Sequence, residues 1–307
     1  MAPNEIGNPD ATGPDVRYRW KLLRAGGFRL DAGSMFGLIP RVVWSRTVET
    51  DDQGRMEVHH NCLLLERATS LPDGVSAPKL VLIECGTGNK LDAKMAGVFA
   101  LESRWVGDAL HEVGCHPNDI ERVFITHLHF DHAGGLTRKP VPGEHGGVHT
   151  AVPSFPNAII HAQAREWSDA LANRSVMTRT YYRDHLEPIA ERVAAIDSAR
   201  PFVPGAIVER DAEPLVPLDL RMSEVVPGIR VFLVPGHTWG QQAISFRDPT
   251  GRTVVFTPDV MPTAAHLGAA YSLAYDVEPY TSMVSKRWFL GEAASRGWTL
   301  VLDHEPG

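Results

Sequence analysis

Residues 126–135 read THLHFDHAGG, which places three histidines and one aspartate within six consecutive positions. The apolar run RVFITH (122–127) leads into this stretch, so the pattern predicts a buried strand that ends where the metal-type side chains begin. In an extended chain, residues two apart point to the same side, so the imidazoles of His127 and His129 can reach one metal ion. Polar side chains just beyond a buried strand are typical of the functional edge of an α/β sheet.

The second half of the same stretch supplies Asp131 and His132, which follow where the chain turns at Gly134 and Gly135. These two side chains can point at a second metal ion nearby. A two-metal site needs more than four ligands, together with a group that bridges the ions. We therefore expect further ligands at the ends of later strands.

Three later segments share one local pattern, an apolar run followed by a polar residue at a turn. They offer His237 in PGHTWG, Asp259 in TPDV and His304 in LDHE. Histidine nitrogens and carboxylate oxygens suit zinc better than calcium or magnesium, although other divalent transition metals also accept them. The sequence predicts two Zn²⁺ ions, with His127, His129 and His237 on one ion, Asp131, His132 and His304 on the other, and Asp259 as the bridge.

The remaining histidines stand apart from this pattern. A lone histidine is more often a surface or hydrogen-bonded residue than a metal ligand. We therefore expect no metal-binding role for His111, His116, His145, His149, His161 and His185.

The composition is that of an ordinary enzyme-sized α/β protein. The chain has 307 residues, 43% of them apolar, and a formal net charge of −7. The acidic balance and the lack of a basic run argue against a nucleic-acid partner. No apolar run approaches the roughly 18 to 20 residues that cross a bilayer, so no membrane partner is expected. The three cysteines are irregularly spaced and predict buried free thiols in the cytoplasm.

The chain alternates apolar strand patterns with amphipathic helix patterns. Residues 1–15 are rich in Pro, Gly, Asn and Asp and predict a flexible tail, which leaves 16–307 as a single domain. Strands are predicted at 60–67, 79–86, 122–127, 157–162, 229–237, 241–248 and 252–259, and in the closing WTLVLDHE. Helices are predicted at 99–114, in pieces across 163–193, and at 280–297, the last with Thr281 or Ser282 as N-cap and Gly297 beyond its end.

These motifs resemble those of the metallo-β-lactamase superfamily. THLHFDHAGG is similar to its HxHxDH signature, PGHTWG to its second histidine motif, TPDV to its bridging-aspartate motif and LDHE to its last histidine motif. The resemblance spans residues 60–304. It implies an α/β fold of the αββα type, a sandwich of two mixed β-sheets flanked by helices, with the metals at one edge.

Within the superfamily, the ligand set with Asp259 resembles that of hydrolases rather than of true β-lactamases. The lead-in GGFRLDAGSMFGLIPRVVW looks most like the branch of N-acyl-homoserine lactone lactonases and methyl parathion hydrolase. Two positions depart from that branch. Glu84-Cys85-Gly86 stands where an Asp-x-Gly is usual, and Pro262 stands where some lactonases carry a tyrosine.

The resemblance implies a dinuclear zinc hydrolase that opens a lactone or carboxylic ester by attack of a metal-bridging hydroxide. An N-acyl-homoserine lactone, the substrate of quorum quenching, is one candidate. Asp131 is the candidate catalytic residue, because it can hold the nucleophile and pass its proton to the leaving alkoxide. Candidate substrate contacts are Met35, Phe36 and His266, together with the loop at 136–157. Met35 and Phe36 fit a homodimer interface equally well.

Three other functions remain open from the sequence. A phosphotriesterase would use the same hydroxide against phosphorus. A sulfur dioxygenase carries the same motif but uses one iron. A non-catalytic binding module could retain the metal for stability alone.

Overall fold

The structure is a computed structural model that describes residues 14–144, 150–175, 179–203, 209 and 211–307. In that part of the chain, the strands are β1 (Tyr18–Asp31), β2 (Arg55–Arg67), β3 (Leu80–Ile83), β4 (Arg122–Phe124), β5 (Thr137–Arg138), β6 (Val152–Pro153), β7 (Ile159–Gln163), β8 (Val193–Ile196), β9 (Ser223–Val226), β10 (Ile229–Leu233), β11 (Gln242–Arg247), β12 (Thr253–Thr257) and β13 (Thr299–Leu302). The α-helices are α1 (Ala32–Phe36), α2 (Arg41–Trp44), α3 (Ala93–Val98), α4 (Val106–Glu112), α5 (Phe130–Ala133), α6 (Ala164–Leu171), α7 (Arg183–Leu186), α8 (Leu218–Arg221) and α9 (Pro279–Arg296).

The described strands form two large sheets, both of mixed direction. The first has six strands in the order β1-β2-β3-β4-β7-β8, and the second has five in the order β13-β12-β11-β10-β9. In the first sheet β1, β2 and β3 pair antiparallel, whereas β3, β4, β7 and β8 pair parallel. In the second sheet only β12 and β13 are parallel neighbours. The short strands β5 and β6 make a separate hairpin.

Alternate residues along each strand face different layers of the core. In β2, Leu63 packs between the two sheets, whereas Cys62 faces the helices on the outside of the first sheet. In β10, Val231 packs between the sheets and Phe232 faces α9 through Phe289. This period of two is the strand repeat, so each sheet has two buried faces. The layers are therefore helix, sheet, sheet and helix, as the resemblance implied.

The predicted strands from residue 60 onward are confirmed, but β1, which opens the first sheet, was not predicted, and neither were the short strands β5, β6, β8 and β9. Residues 18–31 form β1 and pair with β2 along its length. The register shifts between Arg24 and Gly27, a bulge that interrupts the alternation of exposed and buried residues. The period-two pattern is lost at that point, which hid the strand in the sequence.

The predicted helix at 99–114 starts later than expected, at Val106. Residues before it are held by the bulged edge of β1, since Arg29 N donates to the Phe99 carbonyl and Glu102 N donates to the Gly27 carbonyl. These tertiary bonds replace the first helical turns. The helix begins where the Asp108 carboxylate accepts a hydrogen bond from Trp105 N.

The late helix runs from Pro279 to Arg296, so the predicted N-caps Thr281 and Ser282 are wrong. Proline at the first helical position sets the start, and Glu278 is the N-cap. The predicted end is confirmed, because Gly297 adopts a left-handed conformation with φ 63°.

Three further expectations concern the whole chain. Most of the predicted tail, residues 1–13, lies outside the described residues, and the single domain over 16–307 stays a prediction. The three cysteines are buried and form no disulfide with one another. In the part of the chain that the structure describes, no helix combines the length and apolarity needed to cross a membrane.

Candidate metal centre

The predicted ligands gather at one edge of the sandwich, where β4, β10, β12 and β13 end. Hydrogen bonds join the two sheets at this edge. Gln242 N donates to the Thr126 carbonyl (2.9 Å), and Asn61 N donates to the Asp303 carbonyl (3.0 Å). Because β3 pairs only with Leu63–Glu66 of β2, the backbone of β2 nearer the edge is available to the segment that follows β13. The fold thus joins ligands from both sheets.

The first group of donors is His127, His129 and His237, whose offered nitrogen atoms all lie within 4.8 Å of one another. The Nε2 of His237 is 3.0 Å from the Nδ1 of His129. All three side chains are buried. This is the trio that the sequence assigned to one ion.

The second group contains His132, Asp259 and His304, joined by Asp303. The Nε2 atoms of His132 and His304 are 3.3 Å apart. Asp259 reaches both groups, since its Oδ2 is 3.4 Å from His237 Nε2 and its Oδ1 is 3.5 Å from His304 Nε2. The structure therefore places Asp259 between the two donor groups, the position that a bridging ligand requires.

Asp131 lies slightly farther from the second group. Its Oδ2 is 3.7 Å from His304 Nε2 and its Oδ1 is 3.9 Å from His132 Nε2. By distance alone Asp303 belongs to this group more closely than Asp131 does. However, Asp303 Oδ2 contacts the Nδ1 of His132 at 2.7 Å, on the side of the ring opposite His304. Asp303 therefore acts on the back of the imidazole, whereas Asp131 faces its metal-binding side.

Four of the five predicted histidine ligands have an oxygen atom in contact with Nδ1, on the side of the ring away from the centre. Asp276 contacts His237 at 2.8 Å, Asp303 contacts His132 at 2.7 Å, Thr126 Oγ1 contacts His127 at 3.1 Å, and the His59 carbonyl contacts His304 at 2.9 Å. Such partners fix the ring and the tautomer, leaving Nε2 to face the centre. His129 is the exception and turns its Nδ1 toward His237.

Sequence reasoning missed Asp276 and Asp303. Asp303 had a usable signal, because it directly precedes His304 in LDHE. Asp276 had none, since it lies 39 positions from His237 in a turn without a motif.

Glu84, one of the two departures from the lactonase pattern, lies behind the centre. Its Oε2 is 3.4 Å from His132 Nδ1, and its Oε1 accepts a hydrogen bond from Thr126 N. The residue is fully buried and has a φ of 67°, a strained conformation for a side chain other than glycine. The glutamate thus supplies a carboxylate to His132 from this position. At Pro262, the second position that differs from the lactonase pattern, the backbone carbonyl accepts a hydrogen bond from His304 N (3.1 Å).

The turn that carries Asp131 and His132 packs closely against the loop after β3. A Cβ atom on Gly135 would lie 2.1 Å from the Cys85 carbonyl oxygen, and one on Gly134 would lie 2.1 Å from that of Thr87. Neither glycine has a positive φ. These glycines are required by close backbone approach, not by a left-handed turn.

Part of the centre is already in the charge state of a cation site, whereas nearby carboxylates outweigh burial and raise the pKa of His132, His237 and His304, whose protons a bound cation would replace. Burial lowers the pKa of His127 and His129 well below the ordinary value, so both imidazoles are neutral and keep a lone pair. Burial alone would raise the pKa of Asp259, but His304 and His132 lower it well below the ordinary value, so the carboxylate is ionised. Neutral imidazoles beside ionised carboxylates are the donors that a divalent transition metal takes.

Two buried polar atoms without a hydrogen-bond partner also indicate a cation site. Among the described residues, His127 Nε2 and Asp259 Oδ1 are buried and have no hydrogen-bond partner. A buried polar atom without a partner costs about 1–3 kcal/mol, so two facing one centre call for a shared partner. The residues present therefore fit a divalent metal ion.

A cleft opens beside the donors. Its described lining combines four predicted ligands with apolar side chains and two hydroxyl groups, and consists of Leu30, Met35, Phe99, His129, Phe130, Asp131, Thr180, His237, Asp259 and Tyr275. No described residue of the predicted 136–157 wall is among them; residues 145–149 lie outside the described residues.

The three predicted substrate contacts differ in their placement. Met35 lines the cleft. Phe36 does not, and stacks between Trp44 and His266, with ring centroids 5.4 and 4.6 Å away. His266 uses both nitrogens within the protein, with Nε2 2.9 Å from the Met35 carbonyl and Nδ1 2.8 Å from Thr263 Oγ1. The structure thus places Phe36 and His266 behind the cleft wall. Met35 and Phe36 are also buried within the chain, at 1% and 0% exposure, which speaks against their packing on a partner subunit.

Comparison with known proteins agrees with this geometry. A sequence profile of the metallo-beta-lactamase superfamily matches residues 59–138. An N-acyl homoserine lactonase of Bacillus thuringiensis is 27% identical over 150 residues, which is 49% of this chain and 42% of that protein. The chain thus matches less than half the length of this curated relative.

Solved structures share the architecture over most of the chain. A probable metal-dependent hydrolase from Staphylococcus aureus has 24% identity and a TM-score of 0.75, covering 95% of this chain and 90% of that one. A dizinc quorum-quenching lactonase, solved with a product, has 16% identity and a TM-score of 0.64, covering 95% and 92%. The predicted metallo-β-lactamase fold and the resemblance to this superfamily near the lactonases are confirmed.

Proposed function

We propose that this protein is a metal-dependent hydrolase that opens lactones or carboxylic esters and holds two zinc ions. The observation that carries the proposal is the position of the Asp259 carboxylate, within 3.4–3.6 Å of histidine nitrogens from both donor groups. A single-ion site would not need a carboxylate shared in this way. The matches to lactonases and metallo-hydrolases support the same reaction class.

The seven predicted ligands would hold the two ions as the sequence assigns them, with Asp259 shared between them. When bound, two zinc ions lower the pKa of water toward about 7 and polarise a carbonyl group. The chain's own contribution is proton transfer. Asp131 lines the cleft and lies near His132 and His304, so its carboxylate accepts the proton of the attacking water and returns it to the leaving alkoxide.

The apolar side of the cleft fits the acyl chain of an acylated lactone. Leu30, Met35, Phe99 and Phe130 give it an apolar side next to the carboxylates and histidines. An alkyl chain would lie against this side while the ester bond faces the donors. We infer an N-acyl-homoserine lactone as the first candidate substrate.

The test uses protein purified without added metal. Metal content is measured by mass spectrometry, and N-hexanoyl-homoserine lactone, p-nitrophenyl hexanoate and an aryl phosphotriester are offered as substrates. We expect zinc and ring opening of the lactone. Asp131→Asn should lower kcat by roughly 10²–10⁴-fold, with the overall fold kept.

Asp73→Asn, in an exposed loop between β2 and β3, is the matched control and should keep full activity. Turnover of the phosphotriester alone would overturn the choice of substrate. One iron without zinc, together with oxidation of a thiol substrate, would favour the dioxygenase. A full rate in Asp131→Asn would remove this residue from the mechanism.

Quorum quenching and a cytoplasmic location remain parts of the proposal. They follow from the suggested substrate and from the cysteine content. The homodimer was suggested by Met35 and Phe36, and their burial within the chain leaves it without a structural argument.

A further inference from the structure

Two hydroxyl groups line the cleft in addition to the predicted ligands and the apolar wall, and they belong to Thr180 and Tyr275. The phenol of Tyr275 stands in a segment that is hydrogen-bonded directly to the turn of a predicted metal ligand, since Val277 N donates to the His237 carbonyl. This inference rests on the proposed function, because it assigns a role in ester cleavage.

The position of Tyr275 is fixed on both sides by backbone and side-chain bonds. Ala274 N donates to the Ser34 carbonyl at 2.8 Å, and Val277 N donates to the His237 carbonyl at 3.2 Å. The next residue, Asp276, contacts His237 Nδ1 at 2.8 Å. The backbone on both sides of Tyr275 is therefore tied to the segments that carry Ser34 and the predicted ligand His237, which suits a group that acts on substrate.

The phenol is a hydrogen-bond donor at neutral pH. Burial, with smaller contributions from the carboxylates of Asp31, Asp131 and Asp259, raises its pKa to about 12 against the lowering effect of Ser34. A protonated phenol can donate its proton in a hydrogen bond, and Tyr275 lines the cleft. Tyr275 and Asp131, the carboxylate proposed to return the proton to the leaving oxygen, line the same cleft.

We propose that the Tyr275 hydroxyl donates a hydrogen bond to the leaving oxygen of the substrate when its ester bond breaks. In this step the oxygen of water forms a bond to the carbonyl carbon, and the carbon–oxygen bond of the ring breaks. The proton lost by water reaches the leaving alkoxide through Asp131. Tyr275 keeps its own proton and stabilises the developing negative charge.

The test compares Tyr275→Phe with Tyr271→Phe on two esters. Tyr271 lies in the same segment but packs edge-on against Phe36 and does not line the cleft, so its phenylalanine variant is the matched control. N-hexanoyl-homoserine lactone releases a basic alkoxide, whereas p-nitrophenyl hexanoate releases a weakly basic phenolate that needs little stabilisation. Tyr275→Phe should lower kcat for the lactone by about 10- to 100-fold and for the aryl ester by less than about 3-fold.

A second readout does not depend on turnover. The ring-opened product, N-hexanoyl-homoserine, carries the former leaving oxygen as a hydroxyl group. Its dissociation constant, measured by calorimetry on protein of verified metal content, should rise by about 2- to 10-fold in Tyr275→Phe and stay unchanged in Tyr271→Phe. The melting temperature of each variant confirms that the fold is kept.

The outcomes separate this inference from the proposed function. If the wild-type protein opens the lactone and Tyr275→Phe does so at the same rate, the inference is wrong and the proposed function stands. Equal losses on both esters would also overturn it, because a purely structural role does not depend on the leaving group. If the wild-type protein cleaves neither ester, the proposed function fails and the inference fails with it.

Discussion

At the scale of single residues, the carboxylates behind the histidines are as informative as the histidines themselves. Asp276 contacts His237 Nδ1, and both side chains are buried. Asp276 also accepts a hydrogen bond from Leu273 N at 3.2 Å, so it joins the ligand to the segment that carries Tyr275. The carboxylate thus orients one predicted ligand and one wall of the cleft.

We expect Asp276→Asn to lower zinc affinity by roughly 10- to 100-fold, because an outer carboxylate fixes the ring and raises its basicity. The amide keeps the shape of the side chain but loses the charge. Affinity is measured by competition with a coloured chelator. Asp73→Asn is again the control, and unchanged affinity in Asp276→Asn would show that His237 needs no such partner.

The sequence identified the seven predicted ligands because each follows an apolar strand in a short motif. His127, His129 and His132 lie within one turn, so their proximity is a local property of the chain. Asp276 could not be found in this way, since its relation to His237 exists only once the chain between them has folded. Glu84 was noticed only as a departure from a pattern, and its contact with His132 needed the structure.

At the scale of elements, β7 carries a histidine with no visible partner. Both ring nitrogens of His161 lack a hydrogen bond among the described residues, and the ring stacks on Phe124 of β4 with centroids 4.6 Å apart. Burial, with a smaller effect from Arg122, lowers its pKa to about 4. The folded protein therefore disfavours the charged imidazole.

This lowered pKa makes stability depend on pH between about 6.5 and about 4. The unfolded chain takes up the proton first as the pH falls, so the free energy of unfolding decreases across this window. The contribution of His161 is fully present above pH 6.5 and is lost as the pH falls through the folded-state pKa. In His161→Leu, the free energy of unfolding should decrease less over this pH range, by up to roughly 3 kcal/mol.

Urea unfolding at several pH values, on wild-type and variant protein side by side, measures this difference. The metal-site groups are common to both chains, so their own titration cancels. His111→Leu, at an exposed position on α4, is the control and should follow the wild-type curve. Identical pH dependence in His161→Leu and wild type would contradict the assignment.

Element boundaries were harder to predict than element types. The strands that were predicted after residue 60 were visible because apolar runs stand between turn residues, whereas β5, β6, β8 and β9 were missed. By contrast, β1 is an edge strand with a bulge, so its alternation shifts in the middle. The start of α4 depends on two hydrogen bonds with β1: Glu102 N donates to the Gly27 carbonyl, and the Phe99 carbonyl accepts from Arg29 N. A local sequence pattern cannot show such bonds between distant segments.

At the scale of the whole molecule, the candidate centre draws its predicted ligands from both sheets. The turn after β4 of the first sheet supplies four of them, namely His127, His129, Asp131 and His132. The turns after β10, β12 and β13 of the second sheet supply His237, Asp259 and His304. An ion bound by these residues would therefore connect the two sheets of the sandwich.

Removal of the metal should lower the melting temperature by at least about 5 °C, because an ion that binds only the folded state stabilises it by about 4 kcal/mol at a thousand times its dissociation constant. Differential scanning calorimetry with and without a strong chelator measures the change, and added zinc should reverse it. In His237→Ala the chelator should have a smaller effect. An unchanged melting temperature in wild-type protein would show that the ions contribute no stability.

The four-layer architecture itself was predicted from the resemblance, not from local patterns. Alternating strand and helix patterns fit several α/β folds, and they do not determine which strands are neighbours. The pairing of β12 with β13 illustrates the limit: α9 intervenes between them, yet they are parallel neighbours and bring Asp259 and His304 to the same edge.

The division of ligands between the sheets also determines how the protein would respond to force. Sliding one sheet along the other would separate atoms that share an ion, whereas peeling an outer helix away would leave those atoms in place. The force needed to unfold the protein is thus expected to depend on the direction of pulling, because a bound metal would resist sliding of the sheets but not removal of an outer helix.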